Sequence, residues 1–422
     1  MASRKHISFS VLALAFTCLS CHKVQIDTSS NPTSSGIIMY GNQNGNTLES
    51  FGKTADGGYF FSGFTFASAG SNQQGFIQKT DKNGKIEWYR EYGGKYKDKF
   101  IAAHQTSDGG FIAVGLTSSL ALDSPQRNYN THAYIVKTDA NGTLLWQKVY
   151  GGQFNDEFYD VAETPDHYFV ATGSFEGPSG TAIRQWLYIV KVDQNGDSIW
   201  THKTPNFSIS VGTSIAVTSD GGIGVTGYAK KTDTSWINPV FGCLSASGKT
   251  INPVLTFDSI VSHDDLLNND VEPIKNEKII ITQGGFIFIC GASPLPSYAY
   301  LYNILGNWYE VSIIVGKIDQ KGSFAWTHSF TGQGNGLDLS DAMLNPDGSL
   351  LISANVPNAA WILNLNSSGI KTSEIFFPGI SFSEGCAPVG NSYALGLNLI
   401  PSSSNHAYYF GLALADQNGK IK

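Results

Sequence analysis

The sequence predicts an all-β protein, and three observations carry that prediction. Short stretches in which apolar and polar residues alternate recur along the chain, as in AYIVKTD at 133–139 and YIVKVD at 188–193. Turn sequences rich in Asp, Asn and Gly separate these stretches. No stretch of the body that is long enough to form a helix shows 3.6-residue periodicity.

The composition agrees with many short strands joined by tight turns. The chain has 422 residues, 46 of them glycine, with 12% aromatic and only 14% charged residues. Its length exceeds what one compact core usually covers, unless the fold grows by addition of repeats. The net charge of -7 and the lack of a basic run after the first residues argue against nucleic acid as a partner.

The first 20 residues read as an export signal. A basic segment, MASRKH, precedes the apolar run ISFSVLALAF, which is too short to span a bilayer. The following TCLSC resembles a bacterial lipoprotein signal with Cys21 as the lipidated residue, although Cys18 stands where an aliphatic residue is usual. Ordinary secretion is the alternative. We therefore expect an outer-membrane lipoprotein, periplasmic or surface-facing, that contacts the membrane only through its lipid anchor.

Residues 21–35 are polar and rich in Ser, Thr, Asn and Pro, so they predict a flexible tether of about 50 Å at roughly 3.4 Å per residue. Three cysteines remain in the body, and their wide, irregular spacing fits neither a disulfide framework nor a metal site. They are best explained as buried small hydrophobic residues. These three are Cys243, Cys290 and Cys386.

A repeat of about 55 residues runs through the body. Its turn glycine recurs at intervals of 58, 54, 52, 74, 47 and 50 residues, at Gly84, Gly142, Gly196, Gly248, Gly322, Gly369 and Gly419. Asp, Asn or Ser stands three residues before each glycine, and a Trp stands four residues after it in four units, at Trp88, Trp146, Trp200 and Trp326. An earlier turn of the type TSDGG marks the same units.

Each unit contains four predicted antiparallel strands, here lettered a to d. Repeats of this length and content predict a β-propeller, with seven blades in a single domain at 36–422. The chain stops where strand d of the last unit is due, and IIMYGNQNGN at 37–46 resembles a strand d and its following turn. We therefore predict that the N-terminal strand completes the last blade and closes the ring.

Loops b to c and d to a share one face of such a ring, and the insertions at 119–132, 175–186, 229–238, 256–278 and 292–310 all fall there. We expect a protein or glycan ligand on this face. The b to c loop of unit five supplies aromatic rings for such contacts, or for packing over the rim: Tyr298, Tyr300, Tyr302, Trp308 and Tyr309.

Carboxylates supply the other candidates. Asp98 and Asp156 precede strand a, near the central channel, where they either face a ligand or cation or cap the strand start. The 256–278 insertion carries an acidic set that either holds a divalent cation or is a solvated loop: Asp258, His263, Asp264, Asp265, Asp270 and Glu272. Whether any metal binds stays open, and no cofactor is expected. Local catalytic motifs are absent, but residues from several blades would leave no motif.

The phrases D-G-G-Y/F and Y-I-V-K-x-D-x-N-G-x-x-x-W resemble the repeats of bacterial secreted and lipoprotein seven-bladed β-propellers, many from Bacteroidota-like bacteria. This resemblance implies architecture and surface location rather than chemistry. The D-x-N-G-x-x-x-W phrase is also similar to quinoprotein-type propellers, but the motifs that hold quinone and Ca²⁺ in their dehydrogenases are absent here. The sequence thus favours a monomeric, non-catalytic binding or scaffolding module. The alternative is a polysaccharide hydrolase or lyase with carboxylates from several blades.

Overall fold

A computed structural model of the protein describes residues 24–25, 36–41, 45–66, 72–120, 130–180, 182–232, 237–256, 278–282, 285–292, 312–331, 338–356, 359–380, 383–399 and 409–421. The regular structure in these ranges is entirely β-strand. Over the same ranges the chain has no helix that is both long and apolar enough to cross a membrane.

The described residues form 29 strands, numbered along the chain. The first two precede the repeats: β1 (Val24–Gln25) and β2 (Ile37–Tyr40). Units one to three comprise β3 (Asn46–Lys53), β4 (Tyr59–Phe66), β5 (Gln73–Thr80), β6 (Ile86–Tyr92); β7 (Asp98–Gln105), β8 (Phe111–Thr117), β9 (His132–Thr138), β10 (Leu144–Tyr150); β11 (Asp156–Glu163), β12 (Phe169–Ser179), β13 (Ala182–Val192) and β14 (Ser198–Lys203).

Units four to seven continue the pattern, and unit seven has three strands of its own. They comprise β15 (Ile209–Val217), β16 (Ile223–Lys230), β17 (Ile237–Leu244), β18 (Thr250–Thr256); β19 (Lys278–Thr282), β20 (Gly285–Ala292), β21 (Ser312–Ile318), β22 (Phe324–Thr331); β23 (Asp338–Leu344), β24 (Leu350–Val356), β25 (Ala359–Leu365), β26 (Lys371–Pro378); β27 (Ser383–Val389), β28 (Ser392–Leu399) and β29 (Tyr409–Asp416).

The strands confirm an all-β propeller with four-stranded blades. Among the described residues four sheets have four strands each, and a fifth has the order β1-β2-β29-β28-β27. The sixth sheet has eight strands and joins units three and four, so the described strands form five separate blade sheets rather than the seven predicted. The joining occurs because the long strand β13 forms a parallel pair with β15 at Gln185 and Ile209.

The first strands of the units surround the axis of the propeller. Each of them contacts the first strand of the next unit, in the order β3, β7, β11, β15, β19, β23 and β27, and β27 contacts β3 again. The apolar clusters lie between successive units, where the facing sides of two sheets meet. The inner strands therefore enclose the central channel, and the hydrophobic core is divided among the interfaces between units.

The N-terminal strand joins the last unit, as the sequence predicts. β2 pairs antiparallel with β29, with Ile37 opposite Ala413 and Tyr40 opposite Phe410. Within the segment predicted as a tether, β1 pairs with β2 through Val24 and Gln25. The first described segments of the chain therefore lie at the outer edge of unit seven.

A contact between strand d of one unit and the turn of the next explains the repeated Trp and Gly in the units that carry both. The Trp88 indole N–H donates to the Ala140 carbonyl at 3.1 Å, and the Tyr92 hydroxyl donates to the Gly142 carbonyl at 2.7 Å. Gly142 has a φ of +75°, and a Cβ there would lie 2.7 Å from the Trp88 ring. Only glycine suits both the backbone and the ring. We call this contact the Tyr–Trp clasp.

The full clasp repeats at the next interface, and its tyrosine bond alone occurs at the closure of the ring. Trp146 and Tyr150 donate to the carbonyls of Gln194 and Gly196, at 2.7 and 2.6 Å. Tyr40 of β2 donates to the Gly84 carbonyl at 2.6 Å. The N-terminal strand thus holds unit one through the same tyrosine bond that links units one and two.

Buried lysines explain the Lys that recurs in the strand c phrase Y-I-V-K-x-D. Strand c of units one to three carries a lysine whose ammonium pairs with the Asp of the same unit's D-G-G or equivalent turn, at 2.6, 2.8 and 2.9 Å; these pairs are Lys79–Asp56, Lys137–Asp108 and Lys191–Asp166. In unit four Cys243 takes the position of the lysine. All three cysteines of the body are free and buried, which confirms their prediction as core residues.

We expect Tyr40→Phe to lower the free energy of unfolding by about 1 to 2 kcal/mol, because the buried Gly84 carbonyl loses its tyrosine donor while the ring stays in place. Tyr92→Phe should cost a similar amount, since it removes the equivalent bond. Urea denaturation of the full chain measures both effects, with Tyr168→Phe, on a half-buried ring outside the clasp, as the control. A Tyr40→Phe protein as stable as the wild type would show that the bond contributes nothing to closure.

Candidate functional site

Six of the seven inner strands carry a β-bulge at the same place. The pairing register shifts between Leu48 and Ser50 in β3, and at the equivalent positions of β7, β11, β15, β23 and β27. Bulges bend a strand and redirect its side chains. The residues after the shifts, with Lys278 at the aligned position of β19, form what we call the bulge ring: Ser50, Ala102, Asp160, Ser214, Lys278, Asp341 and Gly385.

Asp160 is the most highly coordinated member of the bulge ring. Its carboxylate accepts hydrogen bonds from the Ser214 hydroxyl at 2.8 Å and the Ile215 N–H at 3.0 Å, both in unit four. Its other oxygen lies 3.0 Å from Nε2 of His104 in unit two. Burial acts to raise the pKa of Asp160, but His104 and Lys278 hold that pKa below its usual value. Asp160 thus links three successive units.

Lys278 and Asp341 form an ion pair on the other side of the ring. Their Nζ and Oδ1 atoms are 3.7 Å apart, and each side chain is 32% exposed. Burial acts to lower the pKa of Lys278, but Asp341, Asp160 and Glu384 raise it above its usual value. Burial raises the pKa of Asp341 despite the opposing charge of Lys278. His104 also influences Asp341, although their strands β7 and β23 are not neighbours, so these charges act across the channel.

Glu384 lies in the bulge of β27 and faces the junction with unit one. Asn398 donates to its Oε1 at 2.9 Å and also bonds both the N–H and the carbonyl of Leu48, at 2.7 and 2.9 Å. Burial, followed by the charge of Glu49, raises the pKa of Glu384 to about 8. Glu49 itself pairs with Lys99 at 2.7 Å.

The channel therefore combines an ionised carboxylate, a carboxyl group protonated near neutral pH and a partly exposed ion pair. Such a set suits hydrogen bonding to a polar ligand, and it also suits proton transfer, because neighbouring groups have their pKa values pushed apart. Across the described ranges, no group of three or more His, Cys, Asp or Glu is arranged to hold a metal ion.

Asp98 and Asp156, the predicted channel carboxylates, are fully buried at the starts of β7 and β11. Asp98 accepts hydrogen bonds from the Gly94 N–H at 2.7 Å, from Ser119 at 2.6 Å and from Thr117. Asp156 accepts from the N–H groups of Gly152 and Glu176, at 2.6 and 3.0 Å. These bonds fit strand-start capping, the other interpretation of the sequence.

Burial raises the pKa of Asp98 above its usual value and that of Asp156 to about 6. Binding of a ligand by either carboxylate stays a prediction. The other predicted site residues lie outside the described residues: the aromatic set from Tyr298 to Tyr309, the acidic set from Asp258 to Glu272, and Cys21.

The insertion at 175–186, predicted as a loop, is mostly an extension of β12 and β13. The two strands pair from Phe169 and Val192 out to Ser179 and Ala182, and each has 11 residues. Phe175 and Trp186 stack across it with ring centroids 6.2 Å apart at 7°. The Lys203 ammonium lies 3.1 Å from the Phe175 centroid. Near the tip Ile183 is 58% exposed. The sheet thus continues onto the b to c face.

Sequence reasoning missed the bulge ring, although a signal was present. Asp160, Ser214, Lys278 and Asp341 each stand four residues before the Thr or Asn that opens the following turn. Aligning the units on that turn puts these residues in one column. Their role was not evident because other units have Ser50, Ala102 and Gly385 in the same column.

No family model and no curated protein matches this chain. Similar solved structures include a protein of unknown function from Bacteroides caccae, with TM-score 0.40, 12% identity and coverage of 68% of this chain and 88% of that one. A streptogramin B lyase structure has TM-score 0.48, 13% identity and coverage of 93% and 97%. Puromycin hydrolase has TM-score 0.48, 10% identity and coverage of 89% and 54%. These similarities concern the fold alone.

Replacing Glu384 should change how stability depends on pH. Its pKa of about 8 in the folded protein lies above the value of roughly 4.3 for an exposed Glu. Between these values the folded chain holds a proton that the unfolded chain has released, so stability is highest at the acidic end and falls as pH rises. Glu384→Gln should therefore lose less stability than the wild type between pH 5 and pH 8.5.

Urea unfolding at a series of pH values measures this difference, and Glu374→Gln, which alters an exposed glutamate, is the matched control. Parallel stability curves for the wild type and Glu384→Gln would contradict the raised pKa.

Proposed function

We propose that this chain is a seven-bladed, lipid-anchored propeller of the cell envelope that acts as a non-catalytic module binding or scaffolding a protein or glycan. The cyclic contacts among seven inner strands support the blade count, with the eight-stranded sheet taken as two blades. The export leader with Cys21 supports the anchor and the location, since it has the order of charged, apolar and small residues of a lipoprotein signal.

The observation that carries the binding role is the extended hairpin of β12 and β13. It displays a stacked pair of rings, Phe175 and Trp186, beside the cation of Lys203, on the face where sequence insertions collect. Flat rings flanked by a charge are suited to sugar faces and to peptide side chains. The exposed Ile183 near its tip has no evident folding role, because the aliphatic side chain meets water.

The same face supports a broader contact surface. By sequence, the aromatic segment from Tyr298 to Tyr309 falls between β20 and β21, which are strands b and c of unit five, as the hairpin falls between strands b and c of unit three. Binding by loops on a rigid ring requires no catalytic residues at a fixed spacing, and the sequence has no local catalytic motif.

We expect Ile183→Asp to weaken glycan or peptide binding at least tenfold, because a carboxylate would replace an apolar contact at the tip of the hairpin. The full chain is applied to arrays of envelope glycans and peptides, and affinities for the hits are measured in solution. Ile199→Ser is the matched control, since Ile199 is 47% exposed but lies on β14, near the opposite face. Equal losses in the two variants would point to nonspecific adhesion, and no loss in Ile183→Asp would remove the hairpin from the site.

A second function, hydrolysis or elimination of an extracytoplasmic polysaccharide, is favoured by one observation. The channel holds a carboxyl group with a raised pKa, Glu384, and a carboxylate with a lowered pKa, Asp160. General acid and general base roles require such a difference, and the two residues come from different blades.

If this second function is correct, the wild type should depolymerise at least one polysaccharide in a broad substrate screen, and Glu384→Gln should lose at least 100-fold in rate, within the range of acid–base catalysis. Ile183→Asp should retain kcat. Absence of turnover across uronic, neutral and amino-sugar polymers, together with measurable binding, would leave the non-catalytic module.

A further inference from the structure

The first two described interfaces between successive units are filled by aromatic triads. Tyr92 of unit one packs against Phe100 of unit two, and the Phe100 ring stacks on Tyr134 at 5.9 Å. At the next interface Tyr150 packs against Phe158, and the Phe158 ring stacks on Tyr188 at 5.6 Å. Beside each triad lies a valine of strand c, either Val136 or Val190, and both valines are fully buried.

Small residues take all four of these positions between units three and four. Aligned on the turn glycines, Thr204 replaces the strand d tyrosine, Gly212 the strand a phenylalanine, Val240 the strand c tyrosine and Gly242 the strand c valine. Neighbouring side chains fill only part of the volume that the aromatic rings occupy at the other two interfaces. A Cβ on Gly212 would lie 2.0 Å from the Thr172 hydroxyl and 3.3 Å from Leu187, so that space is closed.

A cavity of about 270 Å³ remains at this interface, and Thr204 and Gly242 are among its lining residues. The cavity opens to solvent beside the exposed Pro205, Asn206 and Thr250, and its volume is close to that of small-molecule sites. Its aliphatic lining comes from Leu187, Ile189, Val225 and Leu244. The β14 to β15 connection, including Phe207, covers one side.

Most of the polar lining comes from β14 and the connection that follows it, and Thr250 of unit four adds a hydroxyl on the facing side. His202 on β14 lines the cavity with Thr204 and Asn206. Burial lowers the pKa of His202, so its imidazole is neutral at neutral pH and can donate or accept one hydrogen bond. Lys203 lies over the rings of Phe175 and Tyr188, so its ammonium already has aromatic partners. The cavity therefore combines an aliphatic lining with uncharged groups that can form hydrogen bonds.

We propose that the cavity between units three and four binds a small neutral molecule that has an apolar ring or short chain and one hydrogen-bonding group, as in a simple phenol. The aliphatic walls bury the apolar body, and His202 bonds the polar group. This site is separate from the channel and from the hairpin tip, so it does not depend on either proposed function.

The test is calorimetric titration of the full chain with p-cresol and with toluene, which differ by one hydroxyl group. The wild type should bind p-cresol with Kd of about 1 mM or lower, several-fold more tightly than toluene. Gly242→Val restores the side chain found in units two and three, and it should weaken p-cresol binding at least tenfold while raising Tm, because it fills the void. His202→Phe should abolish the preference for p-cresol while toluene still binds.

Ile199→Ser, on the same strand but with its side chain exposed, controls for adsorption to surface aliphatic residues and should bind p-cresol like the wild type. Val225→Phe fills the cavity from the facing wall and replaces Gly242→Val if that variant does not fold. The proposal is overturned if the wild type shows no saturable binding up to about 10 mM. It is also overturned if the cavity-filling variant binds as well as the wild type or if Ile199→Ser loses the binding.

Discussion

The closure of the ring and the first two interfaces between units depend on the bond from a tyrosine to the turn carbonyl of the next unit. A four-stranded sheet cannot bury both of its faces alone, so each unit must pack on a neighbour at a fixed position. The Tyr92, Tyr150 and Tyr40 hydroxyls fix that position, each through one hydrogen bond to a turn carbonyl. Beside Tyr92 and Tyr150 a Trp ring packs against the turn glycine, where a Cβ would not fit. Each such bond contributes about 1 kcal/mol, and the apolar burial it positions contributes more.

The chain first departs from this pattern between units three and four, and several features collect there. Thr204 stands in place of the clasp tyrosine, and its hydroxyl lies 2.7 Å from that of Ser210. Asp160 links the two units through Ser214 and Ile215, and β13 pairs with β15. Polar and backbone bonds thus hold an interface that lacks the aromatic triad, and the volume of the missing rings remains partly open. Local departures from a regular pattern are the expected places for function.

The bulge ring serves structure and chemistry together. The Ser50 hydroxyl bonds Ala103 of the next unit, as Asp160 bonds Ile215, so part of the ring joins one unit to the next. Lys278 and Asp341 differ, because their ion pair is partly exposed and 3.7 Å long. Exposed pairs contribute little to stability, whereas carboxyl groups with displaced pKa values can exchange protons with a ligand. The channel is therefore chemically asymmetric, because the hydrogen bonds that join successive units and the ion pair lie on different strands.

The sequence by itself determined the strand content, the repeat and the closure of the ring by residues 37–40, because turns and alternation are local properties of the chain. It also indicated the buried cysteines and the roles available to Asp98 and Asp156. Only the tertiary structure decided that Asp160 meets His104 and that Lys278 pairs with Asp341, since these contacts join residues 56 and 63 positions apart through aligned bulges. It also decided that the 175–186 insertion continues the strands, and that small residues at one interface leave a cavity. A void depends on the side chains of two units at once, which no single stretch of sequence contains.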